Sequence, residues 1–118
     1  MPESCAYAFS GDGVLMVAAG AAKVSQSGSA VVVRINHPLR LAIRDLEAVV
    51  DRAISTIVIP KVSQAEQVKA IDSIIEELES EQSMEPGHTR LIAQIESADA
   101  LPHLDAIATS SPRLLGMI

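Results

Sequence analysis

Along the chain, short uninterrupted runs of β-branched residues alternate with longer stretches in which apolar positions recur every three or four residues. VVVRIN (31–36) and TIVIP (56–60) are closed by an asparagine and a proline, as continuous apolar strands of a parallel sheet should be. RLIAQIE (90–96) and LLGMI (114–118) are weaker copies of that pattern. Between them, SQAEQVKAIDSIIEELES sets Val68, Ile71, Ile74, Ile75 and Leu78 on one helical face, and Ser63 with Glu66 supplies an S-x-x-E start signal. DLEAVVDRA (45–53) predicts a helix capped by Asp45, with Leu46, Val49 and Val50 on its apolar side. ALPHLDAIATS (100–110) predicts another through Leu101, Leu104, Ile107 and Ala108.

Strand starts near residues 31, 56, 91 and 114 lie 25, 35 and 23 residues apart, each the length of a β-α unit with short loops. The fold class is therefore α/β, built of parallel β-α units with right-handed crossovers, and ligands are expected at the carboxyl ends of the strands. Residues 1–30 form a less regular N-terminal segment: GDG (11–13) reads as a turn, 14–22 as a helix or strand of small residues, and SQSGSA (25–30) as a polar loop. Residues 31–118 form the main domain.

Composition narrows this picture. The 118 residues suffice for one domain but fall far short of the roughly 250 of a closed eight-stranded α/β barrel. Hydrophobic residues at 48% with a net charge of -6 predict a folded, soluble chain. Fifteen acids against nine Lys and Arg, with Tyr7 and Phe9 the only aromatics, offer neither a phosphate-tracking surface nor stacking platforms, so no nucleic-acid partner is expected. The apolar run GVLMVAAGAA (13–22) is shorter than the roughly 20 residues of a membrane span, and no basic leader precedes it. The lone Cys5 makes no intrachain disulfide and has no zinc-ligand spacing. Together these features predict a cytoplasmic protein without membrane association.

Polar residues fall at the predicted strand ends. VVVRIN finishes with Arg34 and Asn36, TIVIPK with Pro60 and Lys61, LIAQIES with Gln94, Glu96 and Ser97. Each has an ordinary structural alternative: an arginine at a strand end can serve packing, Lys61 can be a solvated loop residue, and Glu96 can favour the start of the next helix. Converging on one rim, two cations and a carboxylate form a site able to hold a divalent metal and an anionic substrate together. A buried guanidinium also demands an anion, since removing it from water costs several kcal/mol. His37, His88 and His103 share no metal-ligand spacing, Ser63, Ser97, Ser110 and Ser111 lack a nucleophile-elbow context, and EELESE (76–81) reads as the solvated end of a helix.

In their order and separations, VVVRIN, DLEAV, STIVIPKVSQAEQV, LIAQIESADAL and DAIATSSPRLLGMI resemble the citrate lyase beta-subunit-like group of the HpcH/HpaI aldolase superfamily over about residues 31–118. The resemblance implies a TIM-barrel, Mg²⁺-dependent enzyme that makes or breaks a carbon-carbon bond next to a thioester, as in citryl-CoA or malyl-CoA cleavage. By the same resemblance Arg34 binds the carboxylate and keto oxygens of the substrate and Glu96 is a Mg²⁺ ligand. Lys61 and Asn36 are assigned to the rim, with Lys61 a substrate-binding candidate. The family opens with two further strands, the second ending in a D-L-E-D run absent here, and its second metal ligand is an aspartate in a Gly-x-x-Asp segment beyond GMI. The expectation is a partial TIM (β/α)8 barrel of about four strands with weak or no lyase activity alone. Such a chain would act on an acyl-thioester or keto acid and form a homo-oligomer or associate through open sheet edges. Two alternatives differ in kind: a non-catalytic subunit docking those edges on a partner, and a small α/β domain binding an acidic metabolite through Arg34 and Lys61.

Overall fold

A computed structural model describes residues 5–8 and 30–118. Five strands, β1 (Cys5–Ala8), β2 (Ala30–Arg34), β3 (Thr56–Ile59), β4 (Arg90–Ala93) and β5 (Leu114–Met117), pair in parallel and in sequential order. The described residues also form three α-helices, α1 (Leu39–Val49), α2 (Ala65–Glu81) and α3 (Leu104–Ala108), the last preceded by a 3-10 turn at Ala98–His103. A doubly wound sheet reverses its strand order at a switch point. Here each strand pairs with the next one in the chain, which is the connectivity of a barrel wall.

All three helices contribute to one core on one face of the sheet. Val31, Val33, Ile35, Ile57, Ile59, Leu91 and Ala93 pack in a single cluster with Leu46 and Val49 of α1, Val68, Ile71 and Ile75 of α2, and Ile107 of α3. The alternate strand positions point the other way. Val32, Arg34 and Ile92 are only half-buried, and Val58 on the central strand is buried but stands apart from that cluster. The period of two thus sorts side chains into a helix-covered face and an inner face.

Four of the expected strands are present, and β1 at Cys5–Ala8 adds a fifth beside β2. The reading of 14–22 lies outside the described residues. The helix read from Asp45 begins six residues earlier, at Leu39 after Pro38. Asp45 is buried in its middle and reaches back toward β2, so it is not the cap. Pro38, followed by Leu39, Ala42, Leu46 and Val49 at helical spacing, carried the true start signal. The start of α2 falls where expected, but Gln67, not Glu66, closes it: its Oε1 accepts the N–H of Gln64 at 2.8 Å. Leu101, expected on an apolar face, is 61% exposed, while Ala100 beside it is fully buried.

The largest correction concerns EELESE. Within that acidic run Glu79 is 1% exposed and Arg113 binds it twice, from Nη2 to Oε1 at 2.7 Å and from Nη1 to Oε2 at 3.0 Å. Arg113 Nε also donates to Asp72 Oδ1, and Nη1 to the Thr89 carbonyl at 3.1 Å. Glu79 collects two further donors, the N–H groups of Gly87 (3.1 Å) and Thr89 (2.9 Å). Gly87 sits at φ +84°, a conformation that favours glycine. Burial alone pushes the Glu79 carboxyl up, but Arg113 and these N–H donors outweigh it and hold the carboxyl below its ordinary range. Burial likewise pulls Arg113 down, and Glu79 with Asp72 more than reverses it, leaving the guanidinium firmly charged. Thr89 and Arg113 immediately precede β4 and β5, so this cluster locks α2 to the amino ends of the strands.

Candidate functional site

The opposite, carboxyl ends of the strands carry the residues singled out from the sequence. Arg34 is the last residue of β2, half-buried on the inner face, and pairs in register with Val58 of β3. Val58 in turn pairs with Ile92 of β4. Glu96 lies four residues beyond Ile92, past the end of β4 and at the same, carboxyl, end of the sheet as Arg34. The two strands are not adjacent: β3 runs between them, making the lateral separation about two strand spacings, on the order of 10 Å.

Lys61 belongs to the turn that leaves β3, and main-chain bonds draw this turn toward β4. Gln94 N–H donates to the Ile59 carbonyl at 2.8 Å, and Val62 N–H donates to the Gln94 carbonyl at 3.0 Å. Lys61 N–H donates to Glu96 Oε2 at 2.8 Å. Lys61 itself sits at φ 53°, in the left-handed region where a side chain costs roughly 1–2 kcal/mol. Its ammonium side chain is exposed, as is Glu96. The structure therefore joins Lys61 to Glu96 through the main chain of one and the carboxylate of the other, and holds Arg34 on the far side of β3.

Asn36 has a structural duty. Its N–H and its side-chain Nδ2 both donate to Asp45 Oδ2, each at 2.7 Å, which fixes the loop between β2 and α1. A cleft of about 250 Å³ adjoins this loop between the beginnings of α1 and α2, walled by Pro38, Leu39, Ile59, Pro60 and Ile71 among others. Asp45 and Gln67 are the rim-organising residues that the sequence reading missed. Asp45 was placed at a helix start, and Gln67 was passed over for its neighbour Glu66.

Among the described residues no three His, Cys, Asp or Glu side chains gather closely enough to hold a metal ion. Glu96 is a suitable hard ligand for Mg²⁺, an ion commonly bound through one or two carboxylates with waters and substrate oxygens. It is one ligand and not a complete site. No helix among the described residues is long and apolar enough to cross a membrane.

Comparison with known proteins agrees with this fold and gives the family. The family model for HpcH/HpaI aldolase/citrate lyase matches residues 13–118. Citrate lyase subunit beta of Haemophilus influenzae is 35% identical over 88 residues, covering 73% of this chain and 30% of that protein. The subunit from Leuconostoc mesenteroides subsp. cremoris is 34% identical over 95 residues, covering 80% of this chain and 32% of its own length. A solved structure of Haloferax volcanii malate synthase at 3 mM glyoxylate superposes with a TM-score of 0.73 at 16% identity, covering 90% of this chain and 36% of that one. The fold is thus a section of a TIM barrel, and the chain spans about a third of the length of these proteins.

Proposed function

The chain belongs to the HpcH/HpaI aldolase/citrate lyase family, and from that premise we propose that it carries part of the site of a carbon-carbon lyase. The substrate is an acyl thioester of the citrate or malate type. The observation that supports this most is the placement of Arg34 at the end of β2 and of Glu96 just past β4, at the carboxyl ends where such folds keep their chemistry. Arg34 binds the substrate carboxylate and the adjacent oxygen, because its planar, always-charged fork matches two oxygens at once. Lys61 adds a second positive charge at the rim. Glu96 would contribute a ligand to Mg²⁺, with other positions filled by substrate oxygens and by groups outside the described residues. When bound, such an ion polarises the oxygen on the carbon that becomes a keto group. Arg34 meanwhile offsets charge that builds on the acid during cleavage.

Calorimetry with oxaloacetate and Mg²⁺ tests the assignment. Arg34→Ala and Glu96→Ala are each expected to weaken binding by about tenfold or more, the scale of one lost charged hydrogen bond. Equal binding by Glu96→Ala removes that residue from the metal role. Turnover of citryl or malyl thioesters by the 118-residue chain alone is expected to be weak or absent; robust turnover contradicts the reading.

A second reading, association through sheet edges, draws on the exposure of Leu115 (58%) and Met117 (37%) in β5 and of Ile118 (62%) just after it, β5 being an edge strand among the described residues. An unpaired parallel edge with apolar side chains is a template for another chain. Light scattering coupled to size exclusion checks it: a monomer at all accessible concentrations rules the association out.

A further inference from the structure

We propose that Gln67 is a positioning residue for Glu96, acting through the main chain of Lys61; this rests on the reading of Glu96 as a ligand-binding carboxylate. Gln67 lies in the first turn of α2. Its Oε1 accepts the N–H groups of Ser63 (2.7 Å) and Gln64 (2.8 Å) and the Ser63 hydroxyl (3.2 Å). Its Nε2 turns back and donates to the Lys61 carbonyl at 3.1 Å.

A helix cap needs only the oxygen. The bond from Nε2 to Lys61 has a different consequence, because Lys61 is the left-handed residue of the turn. Such a conformation persists in a non-glycine residue only where its surroundings over-determine it. Gln67 restrains the carbonyl of the peptide after Lys61, and the N–H of that same peptide, on Val62, donates to the Gln94 carbonyl. With that side fixed, the peptide before Lys61 presents its N–H to Glu96 Oε2 at 2.8 Å. Glu96 is exposed and lies beyond the end of β4, so backbone regularity does not orient it. The N–H of Lys61 holds the carboxylate at the rim, and Gln67 holds Lys61. Preorganisation of this kind removes the entropy of fixing a mobile carboxylate at the moment a ligand arrives.

Two variants separate positioning from simple capping. Gln67→Met removes all four bonds at nearly constant volume, and adding Lys61→Gly supplies a residue that takes the left-handed conformation without a clamp. Amide exchange followed by NMR is expected to speed about tenfold at position 61 in Gln67→Met. The Mn²⁺ concentration that half-broadens the Glu96 signal is expected to rise about threefold, which corresponds to about 0.7 kcal/mol of preorganisation. The double variant should regain most of both while regaining only a small part of the melting temperature lost in Gln67→Met, because the cap bonds to Ser63 and Gln64 stay absent. If Gln67→Met lowers only the melting temperature, or the double variant recovers neither signal, the proposal is overturned. Mn²⁺ that leaves the wild-type Glu96 signal unchanged overturns the metal reading alone, and the exchange result then still decides whether Gln67 holds the carboxylate.

Discussion

Charge is used in opposite ways at the two ends of this sheet. At the amino ends, Arg113 is 5% exposed and its Nε, Nη1 and Nη2 are all engaged, by Asp72, Glu79 and the Thr89 carbonyl. At the carboxyl ends, Lys61 and Glu96 are exposed and Arg34 is half-buried. The first arrangement consumes its charges in fixing α2 against β4 and β5. The second leaves charged side chains at the surface and spends main-chain bonds on holding their supports. This division matches the general behaviour of α/β barrels, in which the amino-terminal face serves stability and the carboxyl-terminal face serves chemistry.

The sharpest way to break the contrast is to remove Arg113. Arg113→Met leaves Glu79 buried without its countercharge, which should cost about 3–5 kcal/mol in urea unfolding. Replacing Glu79 as well, in Arg113→Met/Glu79→Leu, should recover most of that loss, because a buried pair exchanged for apolar residues is often neutral or better. A double variant as unstable as Arg113→Met would show that the pair, with the Gly87 and Thr89 N–H groups that Glu79 satisfies, contributes net stability that apolar packing does not replace.

Acid weakens the same cluster without a mutation. The Glu79 carboxyl lies below its ordinary value of 4.5 in the folded chain, so the unfolded chain binds the proton more tightly. The stability this contributes is fully present above pH 4.5 and is lost as pH falls from there through the folded value. Urea midpoints measured downward from pH 6 should decline chiefly below pH 4.5, and Glu79→Gln should flatten that decline. A Glu79→Gln profile as steep as wild type would place the acid sensitivity elsewhere.

The sequence made the strands, their parallel order and the rim residues legible because period-two and period-3.6 patterns are local signals. It left the base unseen. A buried arginine demands an anion, and the deeply buried arginine among the described residues is Arg113, which local pattern did not single out. Glu79 and Arg113 are 34 residues apart, and nothing local distinguishes Glu79 from the exposed Glu76, Glu77 and Glu81 around it. Asp45 misled for the opposite reason: a residue favoured at caps was serving a loop nine residues earlier in the chain. The strand pattern put Arg34 and Glu96 at the carboxyl ends of the sheet, but only sheet order reveals that β3 lies between β2 and β4.

At the rim the same kinds of substitution should cost little stability. Glu96→Ala removes an exposed acceptor whose donor, the Lys61 N–H, can turn to water, so urea unfolding should shift by no more than about 1 kcal/mol. A loss approaching that of Arg113→Met would mean that the rim is built for stability as the base is, and the functional contrast would collapse.

The smallest expected effect has the opposite sign. Lys61 at φ 53° carries roughly 1–2 kcal/mol of steric cost that a glycine escapes. Glycine also widens the unfolded ensemble, which costs about 0.4–1 kcal/mol. Because the first quantity exceeds the second, Lys61→Gly should stabilise the chain by about 0.5 kcal/mol. The exposed lysine side chain forfeits no packing in the exchange. A gain in the urea midpoint accompanied by weaker binding of oxaloacetate would place at Lys61 a strain retained for the ligand. A loss of stability would instead make the Lys61 side chain a structural element of the turn, and the rim would then resemble the base at that position.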